Sequence, residues 1–88
     1  MSPNYIAYKI IAARHGQDAS NFFFDVAYEK ANTDAVAGAS EELYFSVHNT
    51  IAEILESPSL TDSAKAELEK VFHRMVQLRL DGKKLARK

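Results

Sequence analysis

The sequence predicts an all-α protein, a small bundle of four helices. Apolar residues recur every three or four positions along most of the 88-residue chain, and capping residues, glycines and prolines separate these stretches. There is no cysteine, so neither a disulfide framework nor a thiolate metal site is available. A chain of this length forms one domain, which we place at residues 1–82, followed by a basic C-terminal tail at residues 83–88.

The first helix is predicted over residues 3–15. Ser2 is placed to cap it, and Pro3 suits the first helical position, where the missing N–H costs nothing. Gly16 follows two basic residues and favours a helix end. The apolar residues form one broad helical stripe, although their alternation would also suit a strand.

The second segment, FFFDVAYEKAN, is ambiguous because its apolar residues fit both the helical period and the alternation of a strand. A cap at Asp18 or Ser20 and several helix-favouring residues indicate a helix over about residues 20–31, after a loop HGQDASN. The alternative is an α+β fold, in which residues 5–28 form an N-terminal β-hairpin followed by two helices.

The third helix is predicted over residues 34–56. Thr33 is placed to cap it, its apolar residues recur at threes and fours, and Pro58 prevents it from continuing. Gly38 lies inside this span and costs about 1 kcal/mol relative to alanine. We therefore expect a frayed first turn or a close approach of another backbone there.

The fourth helix is predicted over residues 62–81. Thr61 is the expected N-cap, Asp62 lies in the first turn, where the helix dipole favours a negative charge, and a regular apolar stripe runs to Gly82. We expect this helix to stop at Gly82 and the basic tail to follow.

Composition and charge exclude several classes of protein. The N-terminus lacks the pattern of a secretory signal, and the longest aliphatic run, residues 10–13, is far too short to span a bilayer. We therefore expect a cytoplasmic protein that has no membrane partner. The composition, with 47% hydrophobic and 26% charged residues, is that of an ordinary globular chain.

No motif in the sequence indicates catalysis or a cofactor. The three histidines, His15, His48 and His73, lie on different segments, and none has the spacing of a metal-ligand pair. The chain has no nucleophile motif, and its three glycines are too scattered to hold a phosphate. We expect a protein that is not an enzyme and that uses no cofactor or metal.

The C-terminal end is basic although the whole chain has a net charge of −1. Residues 74–88 hold six basic residues and one acidic residue, a net charge of +5. A basic arm of this kind could contact phosphates without sequence preference, although helix C-termini favour cations in any case. The candidate nucleic-acid contacts are Arg79, Lys83, Lys84, Arg87 and Lys88.

The three adjacent phenylalanines raise a geometric problem, because no regular backbone points three neighbouring side chains at one core. At least one ring must leave the core, either to pack elsewhere in the bundle or to form a patch that a second copy or a partner covers. We expect the patch to comprise Phe22, Phe23, Phe24 and Tyr28, with Tyr44 and Phe45 as neighbours.

The function predicted from these observations is non-catalytic. We expect a small intracellular protein that binds another protein as a regulator, inhibitor or assembly factor, and that forms a homodimer. The alternative is a nucleic-acid-binding accessory protein that uses the basic C-terminal end.

Overall fold

The fold, described for residues 2–86 by a computed structural model, is built from five α-helices. They are α1 (Pro3–His15), α2 (Gln17–Ala27), α3 (Thr33–Ala37), α4 (Glu41–Leu55) and α5 (Asp62–Ala86). Helices account for 81% of these residues, none of which lies in a strand. The prediction of a small all-α bundle is confirmed, and the alternative hairpin over residues 5–28 is wrong.

A single residue, Gly16, joins the first two helices. Its backbone has φ 96° and ψ 174°, a left-handed conformation that favours glycine, and α2 begins directly at Gln17. The predicted loop HGQDASN is therefore wrong. Because α2 begins at Gln17, Asp18 and Ser20 lie inside it rather than at its cap, and the Ser20 hydroxyl donates a hydrogen bond to the Gln17 carbonyl at 3.0 Å.

The second helix also ends earlier than predicted, at Ala27 instead of residue 31. Glu29 has φ 60°, which turns the chain so that the amides of Lys30 and Ala31 both donate to the carbonyl of Asp25, at 2.7 and 3.1 Å. These bonds occupy a carbonyl at the helix end that would otherwise lack a donor.

The helix predicted over residues 34–56 is two helices, so that prediction is wrong. Capping side chains start each of them: Asn32 Oδ1 accepts from the Ala35 amide at 2.9 Å, and Ser40 Oγ accepts from the Leu43 amide at 3.1 Å. Ser40 has an extended backbone, which breaks the helix just after Gly38. Two good caps and one glycine outweigh the continuous apolar period.

The last helix begins at Asp62, as predicted, with the Ala64 amide donating to Thr61 Oγ1 at 3.2 Å. It does not stop at Gly82 but continues to Ala86, so the predicted end is wrong. At Gly82, α3 lies close against α5: an added Cβ would meet the Ala37 side chain and would lie 2.6 Å from the Thr33 carbonyl oxygen. The division between a domain at 1–82 and a tail at 83–88 stays a prediction, because Arg87 and Lys88 lie outside the described residues.

We expect Gly82→Ala to destabilise the protein by about 1–2 kcal/mol, because overpacking against backbone at the α3–α5 contact costs about 2–3 kcal/mol and alanine regains roughly 1 kcal/mol in helix propensity. Urea unfolding followed by circular dichroism measures the change. Ala66→Gly, at an exposed position of the same helix, serves as the control and should cost about 1 kcal/mol from propensity alone. A Gly82→Ala protein as stable as the parent would contradict the close contact.

The core is built from side chains of all five helices, with α3 packed against α5. Its buried side chains are Ala7, Ile11, Ala19, Phe23, Val26, Val36, Tyr44, Val47, Ile51, Leu68, Val71 and Met75. Every helix contributes at least one of them, so the short helix α3 is held by packing rather than by its own propensity. Within residues 2–86, no helix combines the length and the hydropathy needed to cross a bilayer.

Two arginines of α5 hold the ends of the two helices that precede α4. Arg74 Nη1 donates to the carbonyls of Val26 and Ala27 at 3.0 and 3.2 Å, at the end of α2. Arg79 donates from Nη1 to the carbonyls of Val36 and Ala39 at 3.0 and 3.1 Å, at the end of α3. Cations are favourable there because helix C-termini expose carbonyls without donors.

Candidate protein-binding surfaces

The three adjacent phenylalanines point in three directions. Phe23 is only 1% exposed and packs in the core, Phe22 is half-buried at the core's edge, and Phe24 is 37% exposed. A helix turns successive side chains by about 100°, which produces this fan. The expectation that one ring must leave the core therefore holds for Phe24, whereas Phe23 is removed from the predicted surface patch.

An aromatic cleft lies between the first half of α1 and the second half of α2, with a volume of about 340 Å³. In the cleft, Phe24 packs on Tyr28, with ring centroids 4.5 Å apart, and meets Tyr8 edge-on at 6.1 Å. Tyr28 is 50% exposed and Tyr5 is 47% exposed. The lining residues are Asn4, Tyr5, Tyr8, Asn21, Phe23, Phe24 and Tyr28.

Two lysines stand over rings of the aromatic cleft. Lys9 Nζ lies 5.4 Å from the centroid of Tyr5, one helical turn away, and Lys30 Nζ lies 5.2 Å from the centroid of Phe24. These are cation–π distances, and both lysines are exposed. Two positive charges therefore stand over the cleft, while every lining residue is uncharged.

Asn4 is a polar residue buried among the apolar lining of the aromatic cleft. It is 9% exposed, and its Oδ1 accepts no hydrogen bond from the residues that the structure describes. Buried side-chain oxygens in proteins nearly always have a donor. Two other polar groups of the cleft have partners: the Tyr8 hydroxyl accepts from Gln17 Nε2 at 2.6 Å, and Asn21 Oδ1 accepts from the same amide at 2.9 Å.

A second apolar surface, the α4–α5 groove, has a volume of about 370 Å³. Phe45 and Leu80 stand on opposite sides of it, 43% and 59% exposed. Its lining residues are Glu41, Tyr44, Phe45, His48, Val76, Arg79, Leu80 and Lys83. His48 packs among aromatic rings here, with its centroid 4.7 Å from that of Phe72 and 5.5 Å from that of Phe45.

Tyr44 forms the inner wall of the α4–α5 groove and belongs to the core. The Arg79 guanidinium carbon lies 4.2 Å from the centre of its ring, a close cation–π contact. Burial raises the pKa of the Tyr44 phenol above its usual value, and the positive charge of Arg79 offsets part of this rise. The phenol is therefore neutral at physiological pH.

The structure divides the predicted aromatic patch into two separate surfaces. Phe24 and Tyr28 lie in the aromatic cleft, whereas Tyr44 and Phe45 lie in the α4–α5 groove, and no ring contact joins the two sets within the described residues. Of the six residues, Phe23 and Tyr44 are buried in the chain itself. The four that keep surface accessible to a partner are Phe22, Phe24, Tyr28 and Phe45.

Sequence reasoning missed several members of these surfaces. The pair Tyr5 and Lys9, one helical turn apart, carried a local signal for a cation over a ring. The approach of α1 to α2 that brings Tyr8 against Phe24, and the approach of α4 to α5 that brings Leu80 beside Phe45, had no signal in a single stretch of sequence.

The predicted nucleic-acid contacts lie at the C-terminal end of α5. Arg79 is 6% exposed and donates to the carbonyls at the end of α3, so its inclusion among phosphate contacts is wrong. Lys83 and Lys84 are exposed, whereas Arg87 and Lys88 lie outside the described residues. Nucleic-acid binding by the remaining basic residues stays a prediction.

His15 takes part in a contact between helices. His15 links α1 to α4: the Thr50 hydroxyl donates to the Ser46 carbonyl at 2.7 Å, so His15 Nε2 is the donor in its 3.0 Å contact with that hydroxyl. Between Ser2 and Ala86 no three side chains of the usual metal-ligand types come together.

Comparison with known proteins returned no matching family model, no matching curated protein and no matching solved structure. The function proposed below rests on the geometry of the two surfaces.

Proposed function

We propose that this protein acts without catalysis, by binding proteins, and that it works as a homodimer whose subunits meet at the α4–α5 groove. Such a protein would serve inside the cell as a regulator, inhibitor or assembly factor. The observation that supports the proposal is the pair of exposed apolar side chains, Phe45 and Leu80, on either side of a groove that carries a charge of each sign. Exposed apolar grooves of this kind are typical of binding surfaces.

The charges of the α4–α5 groove suit pairing with a second copy. Glu41 lies in the first turn of α4, and Lys83 lies near the end of α5. The ion pairs found among the described residues involve neither of them. Contacts in a two-fold dimer are reciprocal, so an arrangement that sets Lys83 of one subunit against Glu41 of its partner forms the same attractive contact a second time.

The size of the protein leaves room for a dimer and for a partner. The chain has an accessible surface of 5606 Å², and a standard interface takes roughly 800 Å² from each subunit. A dimer at the α4–α5 groove would therefore cover a minor part of the surface, and the aromatic cleft would remain open.

We expect the parent protein to have the mass of a dimer in light scattering after size exclusion at micromolar concentration, and Phe45→Asp and Leu80→Asp to be folded monomers. A charge placed in an apolar interface loses its hydration without gaining a partner, whereas at an exposed position of the monomer it costs little. Tyr28→Asp, an equally exposed ring in the aromatic cleft, is the matched control and should remain dimeric.

The charge pair gives a second test of the same interface. Glu41→Lys and Lys83→Glu should each weaken the dimer, and the double variant should restore it, because the swap recreates both attractive contacts. A monomeric parent protein would refute the homodimer. Dissociation by Tyr28→Asp in place of Phe45→Asp would move the interface to the aromatic cleft.

A further inference from the structure

We infer that the aromatic cleft binds an acidic segment of a partner protein, with one tryptophan or tyrosine of that segment seated between the ring of Tyr5 and the paired rings of Phe24 and Tyr28. This inference rests on the proposed role in protein binding, and it is independent of the proposed dimer. Three properties of the cleft lead to it: the shape of its walls, the sign of its rim and the buried amide of Asn4.

The walls of the cleft fit an aromatic side chain. Ring faces and edges surround a volume of about 340 Å³, and the rings of Phe24 and Tyr28 are already in contact with each other. Aromatic pairs gain from offset-stacked and edge-on arrangements beyond the area that they bury. Exposed tyrosines are also the residue type, with tryptophan, that most often dominates binding energy at protein interfaces.

The rim of the cleft selects an acidic partner. The ammonium groups of Lys9 and Lys30 stand over two of the rings, and no acidic side chain lines the cleft. The nearby carboxylate of Glu29 lies 3.4 Å from Arg74 Nη2 and is therefore partly neutralised. Carboxylates that flank the inserted ring would meet two positive charges, and electrostatic complementarity of this kind sets specificity and the rate of association.

The same rim opposes a second copy of this chain as the occupant. In a two-fold dimer at the cleft, the lysines of one subunit would face those of the other across the symmetry axis. Like charges placed together in an interface disfavour the complex. The cleft and the α4–α5 groove therefore differ in the occupant that their charges favour.

The amide of Asn4 selects a ring with a polar edge. Its oxygen is buried without a donor among the described residues, and the residue lines the cleft. A half-turn of the amide exchanges Oδ1 and Nδ2, so the side chain offers either an acceptor or a donor to a group beside it. The N–H of an indole or the hydroxyl of a phenol can use this site, and a phenyl ring cannot.

The experiment uses peptides as the probe. A displayed library of random 12-residue peptides is selected on the parent protein and on the Lys9→Glu/Lys30→Glu double variant. We expect the parent to enrich peptides with tryptophan or tyrosine among acidic residues, and the variant to bind those peptides about tenfold more weakly or to enrich basic ones. The control, Lys65→Glu/Lys84→Glu, changes two exposed lysines that do not line the cleft and should behave as the parent does.

Two further variants locate the peptide. Tyr28→Asp should lower the affinity for a selected peptide at least about tenfold. Titration of the ¹⁵N-labelled parent protein with that peptide should change the NMR chemical shifts of amides in α1 and α2 around the cleft. Replacement of the peptide's tryptophan by phenylalanine should lower its affinity for the parent protein but leave its affinity for the Asn4→Leu protein unchanged. Circular dichroism confirms that each variant is folded.

The inference is overturned if no peptide is enriched, if the enriched peptides carry no acidic bias, or if charge reversal at Lys9 and Lys30 leaves their binding unchanged. Selection is repeated on Phe45→Asp, which removes the proposed dimer interface and leaves the cleft intact. Failure of the dimer would be visible in light scattering alone, and failure of the cleft would be visible in the selection alone.

Discussion

Phe23→Asp is expected to leave the chain unfolded at 25 °C, whereas Phe24→Asp is expected to stay folded. Phe23 is among the largest side chains that the core buries completely, while its neighbour keeps about a third of its surface in solvent. Truncation of a core phenylalanine to alanine costs about 3–5 kcal/mol, and a buried carboxylate without a partner adds several more. A chain of this length has only about 4–13 kcal/mol of stability in total.

Far-UV circular dichroism and urea unfolding separate the two variants. Phe23→Asp should lack the helical spectrum, and the milder Phe23→Ala should lower the free energy of unfolding by about 3–5 kcal/mol. Phe24→Asp should keep the helical spectrum and lose about 1–3 kcal/mol, because the ring is partly buried and contacts Tyr8 and Tyr28. A folded Phe23→Asp with a midpoint near that of the parent would show that this ring lies outside the core.

Arg79→Leu is expected to lower the free energy of unfolding by about 2–4 kcal/mol. The guanidinium donates to the carbonyls of Val36 and Ala39 and packs on the ring of Tyr44. Leucine fills part of the space but leaves the Ala39 carbonyl without a donor and the Val36 carbonyl with only the 3.4 Å bond from the Ala39 amide. A buried carbonyl without a donor costs about 1–3 kcal/mol, and loss of the contact with the Tyr44 ring adds about 1 kcal/mol. The saving in the desolvation of the charge offsets only part of this loss.

Two control variants identify the cause. Arg79→Lys keeps the positive charge but lacks the planar guanidinium that donates to two carbonyls and stacks on a ring. It should therefore lower the free energy of unfolding by less than Arg79→Leu does. Arg14→Leu removes the exposed ion pair with Glu53, in which the two atoms are 2.8 Å apart, and should cost at most about 1 kcal/mol. If Arg79→Leu stayed within about 0.5 kcal/mol of the parent, the arginine would not be holding α3.

Local patterns predicted the helices whose signals lie close together in the chain. The bounds of α1 were predicted correctly because Pro3 and Gly16 mark both ends, and the start of α5 because Thr61 caps it. The same reasoning failed where two local signals competed. In the third predicted helix the apolar period ran through Gly38, but the cap at Ser40 broke it.

The candidate surfaces were predictable only in part. A run of three phenylalanines had to leave one ring outside the core, and Phe24 and Tyr28 are indeed exposed. Which rings share a surface depends on how the helices pack, and the packing of α1 on α2 and of α4 on α5 placed Phe24 and Phe45 in different sites. The periodicity of one helix predicts its buried face but not the helix that packs against that face.

The sequence by itself favoured the all-α class and determined the absence of a disulfide framework and the need for at least one ring outside the core, because these follow from residue types and from their spacing within a few turns. The tertiary structure alone decided that Gly82 continues a helix and that Arg79 serves the end of α3 rather than an open surface. Both roles depend on contacts with residues 40 or more positions earlier in the chain. Local spacing predicts which helix a residue belongs to and which face of that helix it occupies. The residues that its side chain contacts depend on tertiary packing between distant parts of the chain.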